Sequence, residues 1–123
     1  MDALTDGELR KQIYSFLRDF KELLGEGGLI VSNRVKNQKG LATLDITEIQ
    51  REHEILSLTL ENYCSGPIKD EYKPGYYWIF GRNVNGIEVY IKLKIMERKH
   101  CELPECMSFH PSEFPLTYPF SED

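Results

Sequence analysis

Val89-Tyr90-Ile91-Lys92-Leu93-Lys94-Ile95 alternates without a break between apolar residues and longer polar ones. A period of two is the mark of a strand with one dry face and one wet face. Val89, Ile91, Leu93 and Ile95 then share the face that seeks a core, while Tyr90, Lys92, Lys94 and Met96 share the other. Just upstream, Asn85-Gly86 is a strong signal for a two-residue type I′ hairpin turn. The stretch before it, Tyr76 to Val84, is aromatic and β-branched. Strands over 76–84 and 87–96 therefore form a hairpin. Downstream, Cys106 to His110 reads as a third strand.

The first half of the chain has a different period. Thr5-Asp6-Gly7-Glu8 has the form of a capping box, and Leu9, Ile13, Phe16, Leu17, Phe20 and Leu24 follow at helical spacing. The spacing predicts a helix over 6–24, ended by Gly25. Leu29-Ile30-Val31 reads as a brief strand or a buried loop, and 33–44 as loop or short helix. Asp45 or Thr47 can cap a second helix running to about residue 57. Thr59 can cap one further turn before Ser65-Gly66-Pro67 breaks it. The last residues, PSEFPLTYPF, are rich in proline, which excludes a central strand. Their aromatics are expected to lie on the body of the domain.

The expected fold is therefore α+β. Helices within 6–57 pack on a small antiparallel sheet of three or four strands within 76–110, and 111–123 form a Pro/aromatic tail. A chain of 123 residues with 41% hydrophobic and 28% charged residues fits one globular domain spanning 1–123. No apolar run approaches the roughly 18 residues of a membrane span, and the start lacks an apolar signal core. Cys64, Cys101 and Cys106 are few and odd in number, so no disulfide framework is expected. These features imply a cytoplasmic protein without membrane association. The net charge of −5 counts against a broad nucleic-acid surface and leaves room for a small local one.

The polar face of 89–96 offers a phenol and two ammonium groups in a row. His110 ends the neighbouring strand, and Ser108 shares its parity. Tyr, Lys and His together suit RNA cleavage without a metal. That reaction needs a base for the 2′-hydroxyl, an acid for the leaving 5′-oxygen and cations for charge building on phosphorus. His110 is the candidate acid or base, Tyr90 the proton donor or orienting group, and Lys92 the phosphate clamp. Lys94 and Arg82 are candidates for substrate binding. Trp78 has two readings, a core or rim aromatic and a base-stacking platform. The plainer interpretation of the whole face is solvent-facing Tyr and Lys on a one-sided sheet. His100, Cys101, Cys106 and His110 sit close together, near zinc-finger spacing but irregularly. Neither a metal nor a cofactor is expected.

Beyond these patterns, the sequence resembles the MqsR-type toxins of bacterial toxin–antitoxin pairs. Val89-Tyr90-Ile91-Lys92-Leu93-Lys94-Ile95 is similar to that family's V-Y-L-K-L strand, and Met107-Ser108-Phe109-His110 to its final S-F-K strand. Leu56 to Tyr63, LSLTLENY, resembles the passage ahead of its sheet, and Ile30 to Arg34, IVSNR, its V-x-x-T-R segment. The resemblance spans roughly residues 10 to 110. It implies a RelE-like fold, messenger-RNA cleavage, an mRNA substrate and a cognate antitoxin protein, with a homodimer left open. Tyr90 falls on a position the family uses in catalysis. The sequence also departs from the family. His110 stands where the family has lysine, no Lys stands near Tyr63-Cys64, and Ile79 rather than glutamine follows Trp78. The departures and the acidic balance favour an alternative, a non-enzymatic protein- or RNA-binding module on the same fold.

Overall fold

The computed structural model describes residues 4–122. Met1 to Ala3 and Asp123, part of the span read as one domain, lie outside the described residues. Helix α1 covers Asp6–Gly27, and Thr5 Oγ1 accepts from the Glu8 N–H at 3.1 Å. It runs past Gly25 and stops at Gly28, whose φ of 86° ends the helical path. A two-residue strand β1 (Ile30–Val31) follows, then α2 (Val35–Leu44) and α3 (Glu48–Leu56). Thr47 and Gln50 close a reciprocal capping box on α3. A 3-10 turn, Leu60–Asn62, leads into β2 (Tyr63–Lys69), β3 (Tyr76–Val84), β4 (Ile87–Arg98) and β5 (Cys101–Pro111).

The α+β class holds, but among the described residues the sheet has five strands rather than three or four. Its order is β1-β5-β4-β3-β2, and it is mixed because β1 runs parallel to β5. β2 escaped the sequence pattern, whereas β1 is the brief strand that was one of the two readings of 29–31. β2 contains Ser65-Gly66-Pro67, which reads as a breaker. It survives as an edge strand, where a missing N–H is tolerated, with register shifts on either side of Ser65. β1 is too short to show any period. Asn85 and Gly86 both have positive φ, as the type I′ turn requires.

Val89, Ile91 and Leu93 are fully buried on the helix side of the sheet, with Ile95 partly buried beside them. They meet Ile13, Phe16, Leu17 and Phe20 of α1 in one cluster with Trp78, Phe80 and Phe109. Phe16 stacks on Trp78 at 5.2 Å between centroids, and Tyr63 stands edge-on to Trp78 at 6.1 Å. Such aromatic pairs contribute about 0.5–1.5 kcal/mol each beyond their buried area. No helix among the described residues is long and apolar enough to cross a membrane.

β5 carries the local irregularity that matters most. Lys92 pairs with Ser108 and Leu93 with Cys106, so Met107 is an extra residue on β5, a β-bulge. Along the outer side of β5, β1 supplies pairing only as far as Cys106, whose carbonyl accepts from Ser32 N. The side chain of Asn37, from α2 and 1% exposed, takes over there. Its amide donates to Met107 O at 3.0 Å and to Ser32 O at 3.1 Å, and its oxygen accepts from Phe109 N at 2.9 Å. Gly40 lets α2 lie this close. A Cβ at residue 40 would stand 2.8 Å from Phe109 O and 3.2 Å from the His110 Cα.

The tail after β5 folds across the outer face of the sheet. The N–H of Ser112 donates to Glu88 O, that of Leu116 to one Glu88 carboxylate oxygen, and Tyr118 Oη to the other. Gly81 makes room, since a Cβ there would lie 2.5 Å from Leu116 and 2.6 Å from the Tyr118 hydroxyl. Phe120 then packs on Tyr63, with Arg10 over its ring. The tail aromatics thus lie on the body of the domain, as expected.

Replacing Asn37 with leucine keeps the volume and leaves the Met107 carbonyl and the Phe109 N–H buried without partners. Each such loss costs about 1–3 kcal/mol. Urea denaturation of Asn37→Leu is expected to show a destabilisation of about 2–5 kcal/mol. A change below about 0.5 kcal/mol would mean the bulge finds its hydrogen bonds elsewhere.

Candidate functional site

The bulge settles which side chains face one another. Beyond Met107 the parity of β5 shifts, so Ser108 and His110 lie opposite Lys92 and Tyr90 on the outer face. The Tyr90 and His110 rings stack at 5.6 Å between centroids with 21° between their planes. These residues line a cavity of about 360 Å³ whose other walls are Arg34, Val35, Lys36, Glu113 and Phe114. Three separate parts of the chain build it: the sheet face, the first turn of α2 and the start of the tail.

The cavity is cationic. Lys36 is paired with the Glu113 carboxylate, whose pKa its hydrogen bond holds down. Arg34, exposed at the N-cap of α2, and Lys92 carry the remaining positive charge. The positive end of the α2 dipole adds to it. Lys92 Nζ sits 4.1 Å from the centre of the Tyr77 ring, so that ring holds the ammonium at the cavity. Partial burial, with the nearby Arg34 charge second, lowers the Lys92 pKa. Partial burial raises that of Tyr90, so its phenol keeps its proton at neutral pH. His110 Nδ1 lies 2.9 Å from the carbonyl oxygen of Pro111. A carbonyl only accepts, so Nδ1 carries the proton of that bond, and Nε2 is the basic nitrogen of the neutral ring.

The structure therefore brings together Tyr90, Lys92 and His110. The other three candidates lie elsewhere. Lys94 is 2% exposed and donates to Asp70 at 2.8 Å, under the turn between β2 and β3. Asp70 also accepts from the N–H groups of Tyr72 and Lys73. Those bonds, led by the one from Lys94, hold its pKa at about 2. Lys94 is thus a fold-stabilising cation that does not line the cavity of Tyr90 and His110. Arg82 pairs in register with Val89 on the helix side, where it bonds the Glu54 carbonyl at 3.3 Å. Trp78 is 6% exposed and stacked in the core, the first of its two readings. The bulge also places Cys106 with Leu93 on the helix side, away from His110, and these two do not converge on an ion. Burial raises the pKa values of the Cys64 and Cys106 thiols to about 12, so neither is a ready nucleophile.

Arg34, Val35, Lys36, Glu113 and Phe114 are the cavity residues that the spacing of 89–110 does not reveal. Arg34 had a signal only in the IVSNR stretch. Phe114 had none beyond its place in an aromatic tail. No protein-family model, curated protein or solved structure matches the chain.

The Asp70–Lys94 pair has a definite acid signature. Asp70 is a stronger acid in the folded chain than an ordinary aspartate, at about 2 against roughly 3.9. Its contribution is complete above pH of about 4 and is lost as pH falls towards about 2. Asp70→Asn should therefore melt below wild type at neutral pH, with the gap narrowing steadily between about pH 4 and 2. A gap independent of pH across that window would show that the carboxylate charge contributes nothing.

Proposed function

We propose that the chain is a toxin-type endoribonuclease of a toxin–antitoxin pair, RelE-like in fold, that cleaves single-stranded mRNA without a metal. The observation that carries this reading is the stacked Tyr90–His110 pair in one cavity with two cations, Lys92 and Arg34. A base, an acid and phosphate-binding charge are the three requirements of 2′-hydroxyl attack.

In this reaction His110 Nε2 takes the proton of the 2′-hydroxyl. The 2′-oxygen attacks phosphorus, and the bond from phosphorus to the 5′-oxygen breaks. The Tyr90 phenol gives its proton to the leaving 5′-oxygen. The products are a 2′,3′-cyclic phosphate and a 5′-hydroxyl end. Lys92 and Arg34 hold the phosphate and oppose the charge that builds on its oxygens. Histidine at 110, in place of the family's lysine, suits the role of base because a neutral imidazole whose Nδ1 donates to Pro111 O keeps a free lone pair on Nε2. A cognate antitoxin would neutralise the toxin by covering the same cavity.

Induction of the chain in bacteria should arrest growth and produce cut RNA with cyclic phosphate ends. His110→Ala and Tyr90→Phe should each lower single-turnover cleavage by about 10²- to 10⁴-fold, the usual contribution of one acid or base. Lys92→Met should weaken RNA binding. Normal growth and intact RNA from well-folded wild-type protein would reject the ribonuclease and favour a non-enzymatic binding module.

A further inference from the structure

Behind the cationic cavity lies a second one of about 240 Å³, between β2, β3 and the tail. Ile79 and Leu116 give it apolar walls, and Ser65 and Thr117 add hydroxyl groups. Tyr90 and Phe114 line both cavities, so the partition is one side chain thick. The two rings meet edge to face at 6.3 Å between centroids.

Phe114 is one of several exposed large hydrophobic residues, and among those it alone lines both cavities. Its side chain is a large apolar one, 59% exposed, yet its backbone is held on both sides. Ser112 N bonds Glu88 O at 2.8 Å and Leu116 N bonds the Glu88 carboxylate at 3.0 Å. An exposed ring on an anchored backbone offers a face on which a flat group can stack. A nucleotide matches the pair of cavities, because its base stands one sugar away from its phosphate. Single-stranded RNA offers bases that are free to leave their neighbours and stack on aromatic side chains.

We infer that the second cavity is a nucleobase subsite, in which Phe114 stacks a base of single-stranded RNA whose phosphate lies against Arg34 and Lys92. This rests on the ribonuclease reading above and adds to it a substrate-binding residue. Ser65 and Thr117 supply hydroxyls that can meet the polar edge of the base.

The test uses the full chain carrying His110→Ala, so that RNA is bound and left uncut. Binding of a labelled eight-nucleotide RNA and of the same ribose-phosphate chain without its central bases is followed by fluorescence anisotropy. Phe114→Ala in that background should weaken the base-bearing RNA by roughly 5- to 150-fold, the range for loss of one stacked base. It should leave the abasic chain unchanged, and Phe114→Trp should restore binding. Phe114 is exposed, and matching melting curves would show that the variants fold. Equal binding of both RNAs with and without Phe114, or equal loss for both, overturns the base subsite and leaves the ribonuclease reading standing. No binding of either RNA, by wild type or by His110→Ala, overturns both.

Discussion

Three hydrogen bonds from one buried side chain fix how this molecule is arranged. Asn37 bonds Met107 O, Phe109 N and Ser32 O, and so completes the edge of β5 where β1 ends. A bulge leaves backbone groups that lie off the ladder, and in a dry interior they need partners. With Asn37 in place the extra residue is stable, and the parity of β5 changes at Met107. Cys106 then serves the core and His110 serves the outer face. The packing of α2, the pairing of Tyr90 with His110 and the position of Arg34 at the cavity all follow from that arrangement.

The outer face of β4 reads in sequence as one alternating row, yet it is two regions in the folded chain. At one end Lys94 is closed in by the turn between β2 and β3 and neutralised by Asp70. At the other, Lys92 and Tyr90 open onto a cavity shared with α2 and the tail. What separates them is the covering loop, not the residue type.

Much of the fold was legible because it obeys local rules. The β3–β4 hairpin followed from period two and Asn85-Gly86, and α3 from a candidate cap at Asp45 or Thr47, of which Thr47 is the one that caps it. α2 was not legible. Its buried residues are Asn37, Gly40 and Leu44, which make no apolar stripe, and Arg34 gives it no side-chain cap. The first half of β5 was hidden because Pro104 and its charged neighbours blur the alternation. For the site, Tyr90, Lys92 and His110 were found because they share strand parity, which the bulge happens to preserve between Ser108 and His110. Lys94 misled because its partner, Asp70, lies 24 residues away in a turn. Arg82 shares parity with Trp78, Phe80 and Val84, so its place on the helix side was implicit in β3. Phe114 could not be placed, since the tail's path depends on Glu88 and on the space left by Gly81.

The division between Lys94 and the cavity cations has a consequence for ionic strength. Mobile ions weaken interactions between exposed charges beyond a Debye length of about 8 Å at physiological salt, and they act much less on a buried pair. Arg34 and Lys92 stand at an open cavity, whereas the Lys94 and Asp70 side chains are 3% and 9% exposed. Potassium or sodium in the medium therefore screens the field of this small cationic surface, while the ion pair beneath the turn stays intact. In a chain of net charge −5, that attraction is confined to short range, and it acts on an anion already at the cavity mouth.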